Sequence, residues 1–272
     1  MLDPVTQALQ TVDEVHADES AATRRQLVAG AGVALGSLGL LGLVDDASAS
    51  SKHRRKHRRN VGNNTPQNIF NVAAKFEALA TVLNTLGSER GLGGDQVTKA
   101  NIAAAAREEL LHYRVLVDDF HAKPRVKRIW IPNKNLANRT ALLNTTQVGD
   151  GIFINAYLIA TTAFGELGHG REARIMSEFM GVEAVHRAVA RQSLGLLGND
   201  RAFIRYTQKE TAAGQPDLGK PGFTDINEAI TRLQGNGIGF DAQGASPGAF
   251  YDVAAVAART PNPPAVNTRN VR

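Results

Sequence analysis

The feature that most constrains this chain is a pattern carried twice within residues 68–195. Glu77 is followed 32 positions later by Glu109, and Glu109-Leu110-Leu111-His112 reads Glu-x-x-His. Asp150 is followed 33 positions later by Glu183, and Glu183-Ala184-Val185-His186 is a second Glu-x-x-His. Such near-equal spacing predicts a repeated helix pair. The three-residue step puts each Glu and His on one helix face, a turn apart. All six side chains fall on apolar stripes, where ionisable groups are costly to bury unless they bind something. The pattern predicts a dinuclear metal site inside a four-helix bundle. Two helices each offer one carboxylate and two offer Glu-x-x-His.

The helices follow from hydrophobic periodicity. Helix 1 is expected over 67–86, with Val72, Phe76, Leu79, Leu83 and Leu86 flanking Glu77. Helix 2 begins after Asp95 or Thr98 and fades near 118–121, before Pro124. Its inward stripe is Ile102, Ala105, Glu109, His112 and Leu116, which leaves Glu108 off the stripe and solvated. Helix 3 covers 138–164, with Asp150 between Gly149 and Gly151; helix 4 covers 171–194. At 1.5 Å per residue, the two carboxylates of each half come level within about one helical turn. Residues 122–137 are long enough to cross the whole bundle, which would make helices 2 and 3 parallel. Trp130 in that connection is a candidate cap on the core.

Residues 196–272 read as a mixed helix and loop extension. Short helices are expected at 200–207, 224–234 and 251–258, with a Gly-rich stretch at 235–250 between them. No chemistry is evident there. The fold class expected is therefore all-α.

The chain has no cysteine, which excludes disulfides, thiolate metal sites and cysteine nucleophiles. Glu, Asp and His instead offer oxygen and nitrogen ligands suited to iron or manganese, with zinc as a further option, for one or two ions. The net charge of +5 is uneven. Residues 1–49 hold two arginines against seven acids, and the run 52–59, from Lys52 to Arg59, reads KHRRKHRR. Eight consecutive Lys, Arg or His residues cannot build a core. They read as a solvated linker within 50–66, or as an attraction to an acidic envelope polymer or anionic lipid. No aromatic interleaves them, so specific nucleic-acid binding is not expected.

Residues 1–49 read as an address. Arg24-Arg25 precede a weakly apolar run at 27–44, and Ala47-Ser48-Ala49 follows as a small-residue cleavage site. This resembles a twin-arginine (Tat) export signal. The expected partner is the Tat machinery, and the expected location is the periplasm, the cell envelope or the exterior. An uncleaved anchor is the second reading of this segment.

The segments F-E-A-L-A-T-V-L (76–83), R-E-E-L-L-H (107–112), D-G-I-F-I-N-A-Y (150–157) and V-E-A-V-H (182–186) carry a resemblance. Over 67–195 the chain resembles the ferritin-like superfamily, especially exported bacterial ferritin-like domain proteins and related plant desiccation-response proteins. The resemblance implies a four-helix bundle holding Fe or Mn through Glu77, Glu109, His112, Asp150, Glu183 and His186, with oxygen or peroxide chemistry in some members. Two departures stand out. The helix-3 carboxylate is usually Glu, and here it is Asp150, one methylene shorter. A Tyr often found seven residues after the first Glu is replaced by Asn84, while Tyr157 on helix 3 stands beside the expected ligands, either supporting them or filling the core.

Two functions follow. One is a di-metal oxidoreductase of ferroxidase or peroxide-handling type; the other is a non-catalytic envelope or stress protein with a degenerate site. No catalytic residue is assigned beyond the ligands, and the pattern leaves oligomerisation open.

Overall fold

The computed structural model describes residues 61–199, 204–205 and 220–264. The twin-arginine segment with Arg24 and Arg25, the 27–44 run and the basic run 52–59 lie outside the described residues.

Four long helices form the body: α1 Pro66–Glu89, α2 Gln96–Arg114, α3 Arg139–Leu167 and α4 Gly170–Ser193. The first three begin at a side-chain cap. Thr65 caps α1 by accepting from Asn68 N, and Pro66 follows at the first helical position. Asp95 caps α2 by accepting from Thr98 N, and Asn138 caps α3 by accepting from Ala141 N. Each such cap is worth about 1 kcal/mol. Gly168, at φ 76°, closes α3 in the left-handed conformation that glycine adopts without steric cost. Past His112, α2 widens into a π-helical turn, Val115–Asp119.

The helices pack as two pairs, α1 with α2 and α3 with α4, and the pairs meet across a shared core. Phe76 stacks on Phe153 at 5.0 Å, and Phe70 stacks between Phe120 and Phe164 at 4.7 and 5.0 Å. Fully burying each such ring contributes about 1.5–3 kcal/mol.

The connection between α2 and α3 joins opposite ends of α1. At its start, Lys123 N donates to Asn71 Oδ1 at 2.6 Å, near the beginning of α1. At its end, Leu142 packs on Gly87 near the close of α1, and Arg139 reaches Asp95 and the Ser193 carbonyl. The chain therefore crosses the length of the helices, and α2 and α3 run parallel, as its length allowed.

The all-α expectation is corrected by this same connection. Residues Arg128–Pro132 form β1, the centre of a three-stranded antiparallel sheet ordered β4-β1-β5, with β4 at Gly239–Phe240 and β5 at Gly248–Asp252. The run Arg-Ile-Trp-Ile-Pro is β-branched and aromatic, which favours a pleated strand. Trp130 is buried, donates from Nε1 to the Ser246 carbonyl at 3.1 Å and meets Phe250 edge-on at 5.0 Å. Glycines in this stretch let the backbone pack closely against itself and against Trp130. A Cβ on Gly244 would lie 2.8 Å from Trp130 Cδ1, and one on Gly239 would lie 2.9 Å from Trp130 Cβ.

The carboxy-terminal extension thus supplies strands as well as helices α5 Asn227–Gly235 and α6 Val253–Ala257. Tyr251 and Asp252, expected to open the last helix, belong to β5. Of the helix expected at 200–207, Ile204–Arg205 instead form β2, paired in parallel with β3 Lys220–Pro221, and its other residues lie outside the described residues. Asn155, inside α3, fastens the extension: Nδ2 donates to the Phe223 carbonyl at 2.9 Å and Oδ1 accepts from Phe223 N at 3.0 Å.

Candidate metal centre

All six predicted ligand side chains are buried, at 0–5% exposure: Glu77, Glu109, His112, Asp150, Glu183 and His186. Helix α1 supplies Glu77, α2 supplies Glu109 and His112, α3 supplies Asp150, and α4 supplies Glu183 and His186. Burial of this many ionisable groups in a domain of this size needs a physical reason, because each would lose hydration worth several kcal/mol.

Glu77, Glu109, His112 and Glu183 come together so that one ligand atom of each lies within 4.8 Å of the others. His112 Nδ1 is 3.4 Å from Glu77 Oε2, 3.7 Å from Glu109 Oε2 and 4.0 Å from Glu183 Oε1. Atoms bound about 2.0–2.2 Å from one ion lie at most about 4.4 Å apart, so a slight contraction would enclose a cation. This cluster can hold a metal ion.

His186 reaches the same carboxylates from another side. Its Nδ1 is 3.0 Å from Glu109 Oε1 and 3.8 Å from Glu183 Oε2. Asp150 is buried nearby and feels the charges of Glu183, His186 and Glu109, but it is not among the four clustered ligands.

The donor atoms are unsatisfied. Glu77 Oε2, both oxygens of Glu109 and Glu183, Asp150 Oδ2 and Nδ1 of both His112 and His186 are buried without a hydrogen-bond partner. Buried polar atoms are almost always paired, so a concentration of orphans around one point calls for an ion. Three carboxylates and one imidazole make the cluster an oxygen-rich donor set of the kind a divalent metal ion accepts. The four clustered residues therefore fit a metal ion.

The protonation pattern without metal reflects the crowding. Burial, helped by the Glu109 charge, raises Glu77 well above the ordinary carboxylate range. Burial and Glu183 do the same to Asp150, and burial with Glu109 pushes Glu183 up to about 8. Burial would also raise Glu109, but the positive charge of His186 and the closeness of the His112 and His186 imidazoles outweigh it and hold Glu109 low. His186 is disfavoured as a cation by burial, yet Glu109 and the carboxylates bonded to it lift its pKa well above the usual value. Like charges at one point cannot all be ionised, and protons occupy the place a cation would take.

Two rings frame the cluster. Phe179 stacks on His112 at 3.9 Å and meets Tyr157 edge-on at 5.7 Å. The Tyr157 hydroxyl donates to Glu77 Oε1, so the buried phenol has a polar partner inside the site as well as a packing role.

Sequence reasoning missed Glu108. Placed off the inward stripe, it was expected in solvent. Instead Glu108 Oε2 lies 2.7 Å from His186 Nε2, and the residue is 30% exposed. A step of one residue turns a helix side chain by about 100°, which aims Glu108 at α4 rather than at water. The signal was available: a metal-binding imidazole usually gives its second N–H to a carboxylate, and Glu108 is the acid next to a predicted ligand.

Comparison of the chain with protein-family models, with curated proteins and with solved structures found no match.

Proposed function

We propose that this chain is an exported ferritin-like metalloprotein. In this reading an Fe or Mn site of one or two ions is held by Glu77, Glu109, His112, Asp150, Glu183 and His186. The observation that carries it is the cluster of Glu77, Glu109, His112 and Glu183, whose buried and unpartnered oxygen and nitrogen atoms converge from α1, α2 and α4. Four carboxylates balance two divalent cations, which would remove the charge crowding that protons otherwise relieve.

Bound iron or manganese would supply one-electron redox chemistry toward oxygen or peroxide. The chain's own residues would do the rest. Glu108 fixes the His186 ring through Nε2 and turns Nδ1 inward. Tyr157 holds one oxygen of Glu77 and leaves Oε2 free for an ion. Phe179 shields His112 from water and locks its ring.

The test is oxidation of added ferrous iron by oxygen, followed optically with full-length protein loaded anaerobically. Turnover above the buffer rate, abolished in a Glu109→Gln, Glu183→Gln double variant, supports an oxidoreductase. A rate equal to buffer with metal still bound supports the second reading, a non-catalytic envelope or stress protein. Asp150 favours that second reading, since its short side chain lies outside the four-residue cluster.

The export part of the proposal rests on Arg24 and Arg25, and retention at the envelope on the 52–59 run. Replacing both arginines by Lys should leave the protein in the cytoplasm. Deleting residues 52–59 should release exported protein from an acidic polymer as salt-sensitive binding is lost.

A further inference from the structure

The centre is not equally closed on all sides. A cavity of about 200 Å³ lies between α1, the first half of α3 and the turn after α5. A smaller one lies between α2, α3 and α4. Both are lined by Asn84 and Thr146. Of the six proposed ligands, Asp150 lines the larger cavity and His186 the smaller; Glu77, Glu109, His112 and Glu183 line neither. The four tightly clustered ligands thus form the enclosed side of the site, and the two outlying ones face the space beside it.

The larger cavity has a consistent chemistry. Leu79, Leu83, Phe153 and Ile238 give it apolar walls, and polar residues that include the buried amides Asn84 and Asn135, with Lys134 and Thr146, interrupt them. Asp150 lines this cavity at 3% exposure, so an edge of its carboxyl group reaches the space, while its Oδ2 is buried without a partner. A buried acceptor in a mostly apolar cavity is the arrangement that orients a small molecule by one polar end. An apolar cavity of about 150 Å³ holds benzene, so this one admits a ring of that size with a substituent.

We propose that this cavity binds a small amphiphilic organic molecule of phenol size. Its ring lies against Leu79, Leu83 and Phe153, and its hydroxyl donates to Asp150 beside Asn84. As a binding site the cavity stands on its own walls. As the place where a substrate meets the metal, it rests on the function proposed above.

Gly149 provides the test, because it lines the cavity from within α3 and a Cβ there would meet nothing within 4 Å. Gly165, on the same helix but away from the cavity, is equally open and serves as the control. Full-length protein is titrated with 4-fluorophenol and followed by fluorine NMR, first metal-free and then with manganese(II). Saturable binding is expected for the wild type and for Gly165→Leu, weakened on the order of tenfold or more in Gly149→Leu. Manganese should then sharply increase the relaxation of the bound fluorine. No saturable binding to the wild type, or equal binding by Gly149→Leu, overturns the cavity site. Binding that Gly149→Leu removes, with no effect of manganese, upholds the cavity and overturns its link to a metal centre.

Discussion

Glu108 and His186 meet across the α2–α4 interface, with Glu108 Oε2 2.7 Å from Nε2 while Nδ1 of the same ring faces Glu109 Oε1 at 3.0 Å. One nitrogen is engaged from the protein surface and the other is presented to the cluster. Replacing Glu108 by Ala should weaken metal affinity about 10–100-fold, the usual cost of losing such a partner. The helices should remain intact, because Glu108 is only half-buried. Competitive titration with a chelating dye measures this, and unchanged affinity would show that Glu108 does not position the ring.

Tyr157 offers a second test. Its hydroxyl is the hydrogen-bond partner of Glu77 Oε1 in a fully buried setting. Tyr157→Phe keeps the packing against Phe179 and leaves that oxygen unpaired. A destabilisation of about 1–3 kcal/mol is expected in metal-free protein, read by urea denaturation. A loss near zero would mean that water or another group takes the place of the hydroxyl.

The pH dependence of the metal-free protein has a definite sign. Glu77, Asp150 and Glu183 have folded pKa values above their unfolded ones, Glu183 at about 8. Between about pH 4.5 and 8 the folded chain therefore binds more protons than the unfolded chain, and stability falls as pH rises. His186 acts in the same direction, since its raised pKa gives stability that is complete below its ordinary value and lost on passing the raised one. Glu109, held low, contributes above its ordinary pKa and loses that only in stronger acid. Each excess proton costs up to about 1.4 kcal/mol per pH unit. Thermal melts in chelator should shift downward from pH 5 to pH 8, and manganese should remove the trend by replacing the protons. A chelated protein more stable at pH 8 than at pH 5 would contradict this protonation pattern.

The sheet that holds the long connection can be tested at Gly239. It pairs with Trp130 in the antiparallel register, and an added Cβ would press on Trp130 and the Ala242 carbonyl. Gly239→Ala should cost about 1–3 kcal/mol through overpacking and loosen Trp130, seen as a red-shifted fluorescence. Ser246→Ala is the contrast, because Trp130 bonds the Ser246 backbone carbonyl and not its side chain; it should leave the emission unchanged.

The four helices were legible because their apolar residues recur at helical spacing and their ends carry caps such as Asp95 and Asn138. The burial of all six Asp, Glu and His side chains was legible for the same reason: position on the stripe fixes direction. The sheet was not, since β1 pairs with residues more than 100 positions away, and a four-residue apolar run, 129–132, does not announce its partners. The glycines at 239 and 244 read as loop composition in the sequence, because the close backbone and Trp130 contacts that require them form only in the folded chain. Glu108 was misplaced because a stripe argument considers one helix at a time, and its direction matters only once α4 lies alongside. Asp150 and His186 are both buried but lie outside the four-residue cluster, a distinction that position on a helix stripe does not carry.

The central claim is that the buried cluster exists to hold metal. The direct measurement is elemental analysis by plasma mass spectrometry of full-length protein purified without chelator from cells replete in iron and manganese. About one to two ions per chain are expected, falling to background in the Glu109→Gln, Glu183→Gln variant while circular dichroism shows the helices retained. A folded wild-type protein carrying less than about 0.2 ion per chain, and taking up none on addition of ferrous iron or manganese, would contradict it.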